Sequence, residues 1–252
     1  MDFHCHLDLY PDAKNVYAET LRKVDFTWLV TTSPRAYAAT ARVLQRHARV
    51  SISPGLHPEI AKDKQAELPL LLKQLQYSQL VGEVGLDGSS RYRDYFDLQK
   101  RIFGAIVQRC EELGGRVLSI HSRAAAMEVL QTLQAHSGFG LAVLHWFTDS
   151  PTILRKAVSQ GCWFSVGPAM LKSANGRKLV AQMPRDRVVP ESDGPFAKDK
   201  GAPIMPWEAM SVSSGVSAAW GISQTEAEVL LRSNSERLLE RMRMNPGDGH
   251  CG

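Results

Sequence analysis

The chain has 252 residues, of which 44% are hydrophobic, and its formal net charge is +4 at neutral pH. This length suffices for one large domain with a substantial core or for two small ones. The mild positive charge permits a polyanionic partner but does not by itself indicate one. The sequence has no apolar run long enough to span a bilayer and no secretory signal pattern at its start, which argues against a membrane-associated protein.

The cysteines of the sequence do not form a recognisable framework. Cys5, Cys110, Cys162 and Cys251 show no C-x-x-C pair and no spacing typical of a disulfide-stabilised domain. This pattern indicates buried or free thiols in a reducing compartment. Together with the missing signal pattern, it leads us to expect a cytoplasmic protein.

The first eight residues, MDFHCHLD, predict a short apolar strand that carries two histidines. Side chains alternate between the two faces of a strand, so His4 and His6 share one face while Cys5 points away. Two neutral imidazoles aimed at one point are a suitable start for a metal site. A lone pair of this kind is more often solvated or paired with other side chains, so a metal site requires further ligands elsewhere in the chain.

Strands and helices alternate along the rest of the sequence. Further strands are predicted at 26–31, 50–55, 80–86, 116–121, 141–145, 162–166 and 187–193. Helices are predicted at 11–23, 36–47, 68–75, 92–113, 124–135, 151–159, 177–182, 225–232 and 235–242. We expect Ser33 and Pro34 to open the second helix, and Gly114 and Gly115 to end the fourth. Pro190 does not fit the last strand, because proline removes a ladder donor.

A strand followed by a helix, repeated eight times at roughly 25 to 30 residues, is typical of an α/β fold of the (β/α)₈ TIM-barrel type. Short, continuously apolar strands also fit a buried parallel sheet. An open doubly wound sheet is an alternative, since periodicity cannot show closure, although no glycine-rich dinucleotide loop follows an early strand. Without a linker or a shift in composition, we expect one domain at 1–243 and a flexible tail at 244–252.

Candidate metal ligands fall at or near the carboxyl ends of the predicted strands. They are His4, His6, Glu83, His121, His145 and Asp193. Barrel enzymes place their active sites at that rim, because the loops there vary without disturbing the core. Each residue alone could cap a carbonyl or pair with an arginine. Unrelated local roles would not place residues from five strands at one rim, so their joint position predicts a metal centre.

The chemistry of these groups narrows the expected reaction. Nitrogen and carboxylate ligands suit zinc, manganese or iron and, less well, magnesium. Two ions about 3.5 to 4 Å apart can share one carboxylate, here Glu83, as a bridge. Such a pair lowers the pKa of a bound water and clamps phosphate oxygens, while Asp193, if weakly bound, can take the water proton. Glu83 and Asp193 are therefore the expected catalytic residues.

The sequence resembles the TatD family of metal-dependent deoxyribonucleases, which are amidohydrolase-like barrels. The motifs that carry the resemblance are DFHCHLD at 2–8, GLHP at 55–58, GEVGLD at 82–87, HSRAA at 121–125, HWF at 145–147 and ESDGPF at 191–196. The resemblance covers nearly the whole chain before the tail. It implies two or three divalent ions, zinc, manganese or magnesium, on the same six ligands, and hydrolysis of DNA, often from a 3′ end. It also implies that His57 faces the substrate phosphate and that Arg123 steadies its charge.

Several segments depart from the family pattern. The run 88–90 (GSS) replaces an aromatic residue, HWFTD replaces the more common HCFSG and puts Trp146 beside a ligand, and 204–207 (IMPW) replaces an arginine-bearing stretch. The expected metal shell is kept while the substrate contacts differ. MDFHCHLDLYPDA, CWFSVGPAML, ESDGPF and MPW together resemble the QatD branch, the TatD-like component of Qat anti-phage defence systems. This resemblance implies Qat partner proteins and a role in defence.

Basic and aromatic residues are expected around the mouth of the barrel. The basic ones are Lys172, Arg177, Lys178, Lys198 and Lys200, and the aromatic ones are Trp146, Phe147, Phe196 and Trp207. They can follow a DNA backbone and stack on bases, or they can simply be solvated and fill the mouth. Three functions stay open: a nuclease for DNA ends or single strands, a hydrolase of a modified nucleotide, ester or amide, and a subunit that acts only within a complex.

Overall fold

The computed structural model of the chain describes residues 1–44 and 47–243. The predicted tail at 244–252, with Cys251, lies outside the described residues. Within the described ranges, no helix combines the length and the apolar character needed to cross a membrane.

Parallel strands form the centre of the described chain. They are β1 (Asp2–Cys5), β2 (Thr27–Val30), β3 (Val50–Ser53), β4 (Leu80–Gly85), β5 (Arg116–His121), β6 (Gly140–His145), β7 (Trp163–Val166) and β8 (Val188–Pro190). Ladder bonds join neighbouring strands in sequence order within two sets, β1–β2–β3 and β4–β5–β6–β7–β8. The Gly82 amide donates to the Pro54 carbonyl, and the Asp193 amide to the His4 carbonyl, both at 2.9 Å, which joins the two sets at both edges. The fold is thus the predicted (β/α)₈ barrel, and the open doubly wound alternative is wrong.

Helices surround this barrel. They are α1 (Ala13–Lys23), α2 (Pro34–Val43), α3 (Ala61–Lys64), α4 (Leu68–Gln74), α5 (Phe96–Glu112), α6 (Ala126–Ala135), α7 (Pro151–Ser159), α8 (Ala174–Val180), α9 (Val212–Trp220) and α10 (Gln224–Arg243). The Ser33 hydroxyl accepts a hydrogen bond from the Ala36 amide at 3.2 Å, with Pro34 at the first helical position, as predicted for α2. Gly114 and Gly115 follow α5 with φ of 78° and 95°, a left-handed conformation that ends the helix.

The last two predicted helices are a single helix, α10. The sequence predicted separate helices at 225–232 and 235–242, but the polar side chains around the gap are satisfied by contacts that the sequence does not reveal. The side-chain amide of buried Asn234 donates to the backbone carbonyls of Arg185 and Val188 at 2.8 Å each. The Ser235 hydroxyl donates to the Leu231 carbonyl at 2.6 Å. Because these groups are paired, the helix continues through the polar segment.

The structure adds α9 and a small antiparallel hairpin of β9 (Lys198–Asp199) and β10 (Ala202–Pro203), neither of which was predicted. The hairpin strands have two residues each and carry no apolar alternation, so no strand signal was present. In α9, a Cβ on Gly215 would come within 2.5 Å of the Leu171 side chain. The glycine lets α9 pack closely against Leu171, although it weakens the helix signal in the sequence.

Pro190 is compatible with β8 because its neighbour supplies the ladder bond. Pro190 pairs with Val166 of β7, and the Glu191 amide donates to the Val166 carbonyl at 3.1 Å. In a parallel ladder, the bonds to one residue come from the residues on either side of its partner. The missing N–H of the proline therefore leaves this ladder intact.

The barrel interior changes from apolar to polar along the strands. Val117, Val143 and Val189, from β5, β6 and β8, are buried in one apolar cluster. Two residues further along, where side chains return to the same face, stand Ser119, His145 and Glu191. The packed apolar layer supports a layer of buried polar groups at the carboxyl ends of the strands.

Candidate metal centre

The structure brings all six sequence-predicted ligands together at the carboxyl ends of the strands. Four of them are arranged around Glu83, which is 1% exposed. The Glu83 carboxylate lies 2.9 Å from His6 Nε2, 3.4 Å from His4 Nε2, 2.9 Å from His121 Nδ1 and 3.7 Å from His145 Nε2. Asp193 Oδ1 lies 3.9 Å from His4 Nε2. The cluster joins residues from β1 to the segment that follows β8.

The two oxygens of Glu83 face different groups of histidines. Oε2 is the oxygen near His4 and His6, both from β1 and its end. Oε1 is the oxygen near His121 and His145, and His57 Nε2 also lies 3.2 Å from it. A carboxylate placed in this way can hold one cation with each oxygen.

The donor atoms fit divalent cations. His4, His6 and Glu83 form one group whose ligand atoms lie within 4.8 Å of one another, and His57, Glu83 and His121 form a second. His4 Nε2 is buried and has no hydrogen-bond partner among the described residues. A buried nitrogen without a partner is costly unless a cation or a proton donor satisfies it. Imidazole and carboxylate donors of this kind suit zinc or manganese better than magnesium.

A second layer of polar groups holds the outer nitrogens of three histidines. His4 Nδ1 lies 2.7 Å from Ser119 Oγ, His121 Nε2 lies 2.9 Å from Asp87 Oδ2, and His145 Nδ1 lies 3.1 Å from Glu191 Oε2. Such partners fix the orientation and the tautomer of a ligating imidazole. Sequence reasoning missed this layer, although Asp87 and Glu191 belong to the GEVGLD and ESDGPF motifs and could have been found as acidic residues close to a candidate ligand.

The pKa values of the buried groups follow from their mutual contacts. Burial alone would raise the pKa of Glu83, but the neighbouring His57 and His4 outweigh burial and hold it well below its usual range. Burial would likewise lower the pKa of His145, but Glu191 and Asp193 raise it to about 10. Burial raises the pKa of Asp193 to about 7. The centre therefore combines an ionised carboxylate with an aspartate close to its titration point at neutral pH.

The backbone is constrained next to two of the candidate ligands. Asp193 has a φ of 48° and Trp146, which follows His145, has a φ of 38°. Residues other than glycine rarely adopt this left-handed conformation, which is disfavoured most for bulky side chains such as that of Trp146. At Asp193, the backbone is held by its own amide, which donates to the His4 carbonyl at 2.9 Å. Buried Asp2 accepts hydrogen bonds from the Ser192 amide and hydroxyl at 2.9 and 2.6 Å, which anchors the preceding residue.

A cavity of about 700 Å³ opens onto the cluster. Its lining includes the predicted substrate residues His57, Arg123 and Trp146, together with Phe196. Phe196 is 59% exposed, and its ring stands edge-on to the His6 ring at 5.0 Å. The cavity thus offers one guanidinium and two aromatic rings beside the candidate ligands.

Other predicted substrate contacts lie elsewhere. Lys172 is not in the cavity lining, and its Nζ contacts the Asp199 carboxylate at 2.8 Å and the Lys198 carbonyl at 3.0 Å. Arg177 Nη1 donates to the Leu171 and Lys172 carbonyls at 2.9 Å each.

Two of the predicted aromatic contacts are also displaced from the cavity. Phe147 is fully buried in the hydrophobic core, where it packs against Phe164, so its predicted contact with bases is wrong. Trp207 lies outside the lining, with Lys23 Nζ 4.3 Å from its ring centroid. Within the described ranges, neither Lys178, Lys198 nor Lys200 lines the cavity.

A closed barrel with histidine and carboxylate groups gathered at its carboxyl rim defines a metal-dependent hydrolase. The family model described as TatD related DNase matches residues 1–240, and the chain belongs to that family. Deoxyribonuclease TATDN3 of Homo sapiens is 26% identical over 265 residues, covering 96% of this chain and 95% of the relative. The metal-dependent hydrolase YabD of Bacillus subtilis is 29% identical over 147 residues, covering 56% of this chain and 57% of the relative.

A solved structure agrees with the fold. The crystal structure of YJJV, a TatD homologue of Escherichia coli K12, superposes with a TM-score of 0.82 and covers 94% of this chain and 96% of its own. Its sequence identity to this chain is 21%, so the similarity bears on the fold alone. The barrel predicted from the sequence is therefore confirmed by comparison as well as by its ladder bonds.

Proposed function

We propose that the protein is a deoxyribonuclease that hydrolyses DNA phosphodiester bonds at a centre of divalent metal ions. The observation that carries this proposal is that the two carboxylate oxygens of Glu83 face different histidines. Oε2 lies beside His4 and His6, and Oε1 lies beside His121 and His145. Two cations on one carboxylate are an arrangement suited to phosphodiester cleavage. The family membership and the name of the human relative support DNA as the substrate.

In this proposal, the six clustered residues would hold two, or three, divalent ions, with zinc, manganese and magnesium as candidates. His4, His6 and Glu83 lie around one position, and His121 and His145 lie on the other side of Glu83, beside its Oε1. Asp193 lies beside His4 and His145. When bound, the ions supply Lewis acidity, which lowers the pKa of a water molecule and offsets the charge of the phosphate.

The protein's own groups then orient the reactants. Asp193, which lies beside His4 Nε2, accepts a proton from the attacking water. Arg123 in the cavity wall pairs with a phosphate oxygen, and Trp146 and Phe196 contact the bases. Lys172 has no part in this proposal, because its ammonium group is paired with Asp199.

We further infer that the chain works in anti-phage defence as a QatD-type protein, in the cytoplasm and with Qat partner proteins. This inference depends on the sequence features shared with that branch, among them CWFSVGPAML and ESDGPF. In the same proposal, 1–243 forms a single catalytic domain. Co-purification of the tagged protein with Qat proteins, and loss of phage protection on mutating His121, would support this role.

A second candidate function is hydrolysis of a modified nucleotide or another small ester or amide. The observation that favours it is the cavity, which has Arg123 as its lining guanidinium and, in the described part of the chain, no lining lysine. A long DNA backbone is usually followed by several cations, whereas a single small phosphate ester needs few. The same centre can act on either substrate.

One assay separates these functions. Purified protein is incubated with labelled single- and double-stranded DNA and with a panel of modified nucleotides, with and without Mn²⁺, Mg²⁺ or Zn²⁺. Metal-dependent DNA cleavage that is lost in His121→Ala and Asp193→Asn supports the deoxyribonuclease. The matched control is His136→Ala, which removes a histidine paired with Glu111 on the protein surface.

Other outcomes favour the alternatives. Turnover of small nucleotides without DNA cleavage favours the second function. Turnover that begins only when partner proteins are added favours an enzyme that acts within a complex. The absence of turnover under every condition contradicts an enzymatic role.

A further inference from the structure

Glu59 places a carboxylate in the cavity wall, although it is not one of the six candidate ligands. It belongs to the 3₁₀ helix Pro58–Ile60 and lines the cavity together with Arg123. The histidines nearest to it make their carboxylate contacts elsewhere, His57 with Glu83 and His121 with Glu83 and Asp87. Glu59 and Arg123 do not pair with each other in the described part of the chain. The cavity therefore offers an anionic group and a cationic group at separate places.

The position of Glu59 is fixed by its neighbours. The hydroxyl of Tyr92, a residue that is 6% exposed, donates to Glu59 Oε2 at 2.7 Å. The Glu59 amide donates to His57 Nδ1 at 3.2 Å, and the Tyr95 hydroxyl donates to the Glu59 carbonyl at 3.4 Å. A carboxylate held by both its side chain and its backbone is oriented before a ligand arrives, which lowers the cost of binding to it.

The surroundings of Glu59 do not favour a further metal ion. Ligand atoms of Glu59, Asp87 and His121 lie within 4.8 Å of one another, close enough to consider a cation. His121, however, faces Glu83 Oε1 with Nδ1 and Asp87 Oδ2 with Nε2, both at 2.9 Å. If Nδ1 serves the candidate metal centre, the ring proton is on Nε2 and is donated to Asp87. No imidazole lone pair then remains for an ion beside Glu59.

The chemistry of a carboxylate limits what Glu59 can bind. An ionised carboxylate only accepts hydrogen bonds, and so do the anionic oxygens of a phosphodiester. Placing these two groups side by side is unfavourable, because their charges repel and no proton joins them. The phosphate is thus expected on the side of Arg123 and the candidate ligands. The part of the substrate beside Glu59 must instead carry a neutral hydrogen-bond donor.

We propose that Glu59 is a specificity-determining residue that accepts a hydrogen bond from the nucleoside part of the substrate. The donor is a sugar hydroxyl or a base amino group, both of which a nucleotide carries beside its phosphate. Tyr92 holds the carboxylate toward this donor and is a positioning residue. That the donor belongs to a nucleoside rests on the proposed function, whereas the need for a neutral donor rests on the carboxylate itself.

Three nucleotides test the proposal and identify the donor. Zn²⁺-loaded protein is titrated by calorimetry with deoxyadenosine monophosphate, with its dideoxy analogue, which lacks the sugar hydroxyl, and with purine deoxyriboside monophosphate, which lacks the base amino group. We expect one analogue to bind about tenfold more weakly than the parent, or weaker still, because a hydrogen bond to a charged group is lost. The weaker analogue shows which donor Glu59 binds.

Variants attribute this preference to Glu59. In Glu59→Ala, the parent and the weaker analogue should bind within about twofold of each other. Glu59→Gln keeps a neutral acceptor and the Tyr92 contact, so an intermediate preference is expected, and Tyr92→Phe should also reduce the preference. Glu112→Gln, an exposed carboxylate paired with Arg109, is the control and should keep the full preference. Metal stoichiometry should be unchanged in all four variants.

The remaining outcomes overturn the proposal or separate it from the proposed function. A wild type that binds the three nucleotides equally, or binds none of them, overturns it. So does a full preference in Glu59→Gln and Glu59→Ala, or a loss of bound metal in either variant. If the preference depends on Glu59 while the wild type cleaves no DNA, the subsite is supported and the deoxyribonuclease proposal fails. If DNA is cleaved without any such preference, only the role of Glu59 fails.

Discussion

His145 Nδ1 lies 3.1 Å from Oε2 of Glu191, a carboxylate that is 0% exposed. The second oxygen of Glu191 is also buried and has no hydrogen-bond partner among the described residues. Burying a carboxylate in this way is unfavourable unless its partner carries a positive charge or binds a cation. Glu191 is thus stabilised when His145 carries a positive charge or binds a cation, which connects this buried carboxylate to metal binding.

Replacing Glu191 should therefore weaken metal binding without removing a candidate ligand. We expect Glu191→Gln to lower the affinity for Zn²⁺ or Mn²⁺ by about 10- to 100-fold, as is typical for partners of ligating histidines. Isothermal titration of the metal into chelator-treated protein measures the change. Glu112→Gln, which alters an exposed carboxylate paired with Arg109, is the control. Equal affinities in the two variants would exclude a role for Glu191 in orienting His145.

Removal of divalent metal should lower the stability of the protein. His4 Nε2 is buried without a hydrogen-bond partner among the described residues, so a bound cation compensates a group that is otherwise unsatisfied. At a metal concentration of 100 times Kd, a single site adds about 2.7 kcal/mol to the free energy of unfolding. Thermal melts with EDTA and with graded Mn²⁺ or Zn²⁺ should show a Tm that rises with metal, and His4→Ala should reduce the rise. A Tm independent of metal in the wild type contradicts the proposed site.

Gly85 should tolerate no side chain. It ends β4 with a φ of 137°, and a Cβ there would lie 2.0 Å from the His121 carbonyl oxygen. We expect Gly85→Ala to reduce the free energy of unfolding by roughly 3 kcal/mol and to lower hydrolase activity by moving His121. Gly104→Ala is the matched control, because it lies within α5 with nothing within 4 Å of its Cβ position. It should raise stability by about 0.5–1 kcal/mol. Urea titrations compare the two, and similar changes would refute the steric argument.

Substitutions of Arg123 and Lys172 should differ in their effect on the KM for DNA. Arg123 lines the cavity, whereas Lys172 forms an exposed ion pair with Asp199. We expect Arg123→Ala to raise KM for DNA about tenfold or more, the loss of a charged hydrogen bond. Lys172→Ala should stay within about twofold, since exposed ion pairs contribute little. Steady-state kinetics at one salt concentration checks both values, and a larger effect of Lys172 would mean that the substrate extends beyond the cavity.

The buried thiols should make stability fall at alkaline pH. Burial raises the pKa of Cys110 and of Cys162 to about 12 from the ordinary value of 9.0. Between these values, the unfolded chain loses thiol protons while the folded chain keeps them. The free energy of unfolding should therefore decrease as pH rises above 9. Below pH 9, these thiols are protonated in both states and should add no pH dependence to it. Guanidinium titrations from pH 8 to pH 11 measure the slope.

A double variant isolates this effect. Cys110→Ala combined with Cys162→Ala should have a shallower decline in stability with pH than the wild type, after allowance for its lower starting stability. In a Cys251→Ser background, the three buried thiols, Cys5 included, should also resist alkylation until the protein unfolds. Rapid labelling of the folded protein would show that these side chains are accessible.

The sequence by itself determined the order of strands and helices and the rim at which the polar groups collect. β5 and α7 were predicted with the boundaries that the structure has, Arg116–His121 and Pro151–Ser159. These features depend on local periodicity, on capping residues and on the rule that parallel strands end on the same side. Phe147, by contrast, was misplaced, because alternation along a loop does not fix which side chain turns into the core.

Only the tertiary structure decided how the groups face one another. The partners of the two Glu83 oxygens and the carboxylate behind His145 depend on strand register and barrel closure, which join residues far apart in the chain. The ion pair of Lys172 with Asp199 likewise depends on an unpredicted hairpin. Local sequence specifies which side a residue faces, whereas distances of a few ångströms between distant segments follow from the packing of the whole barrel.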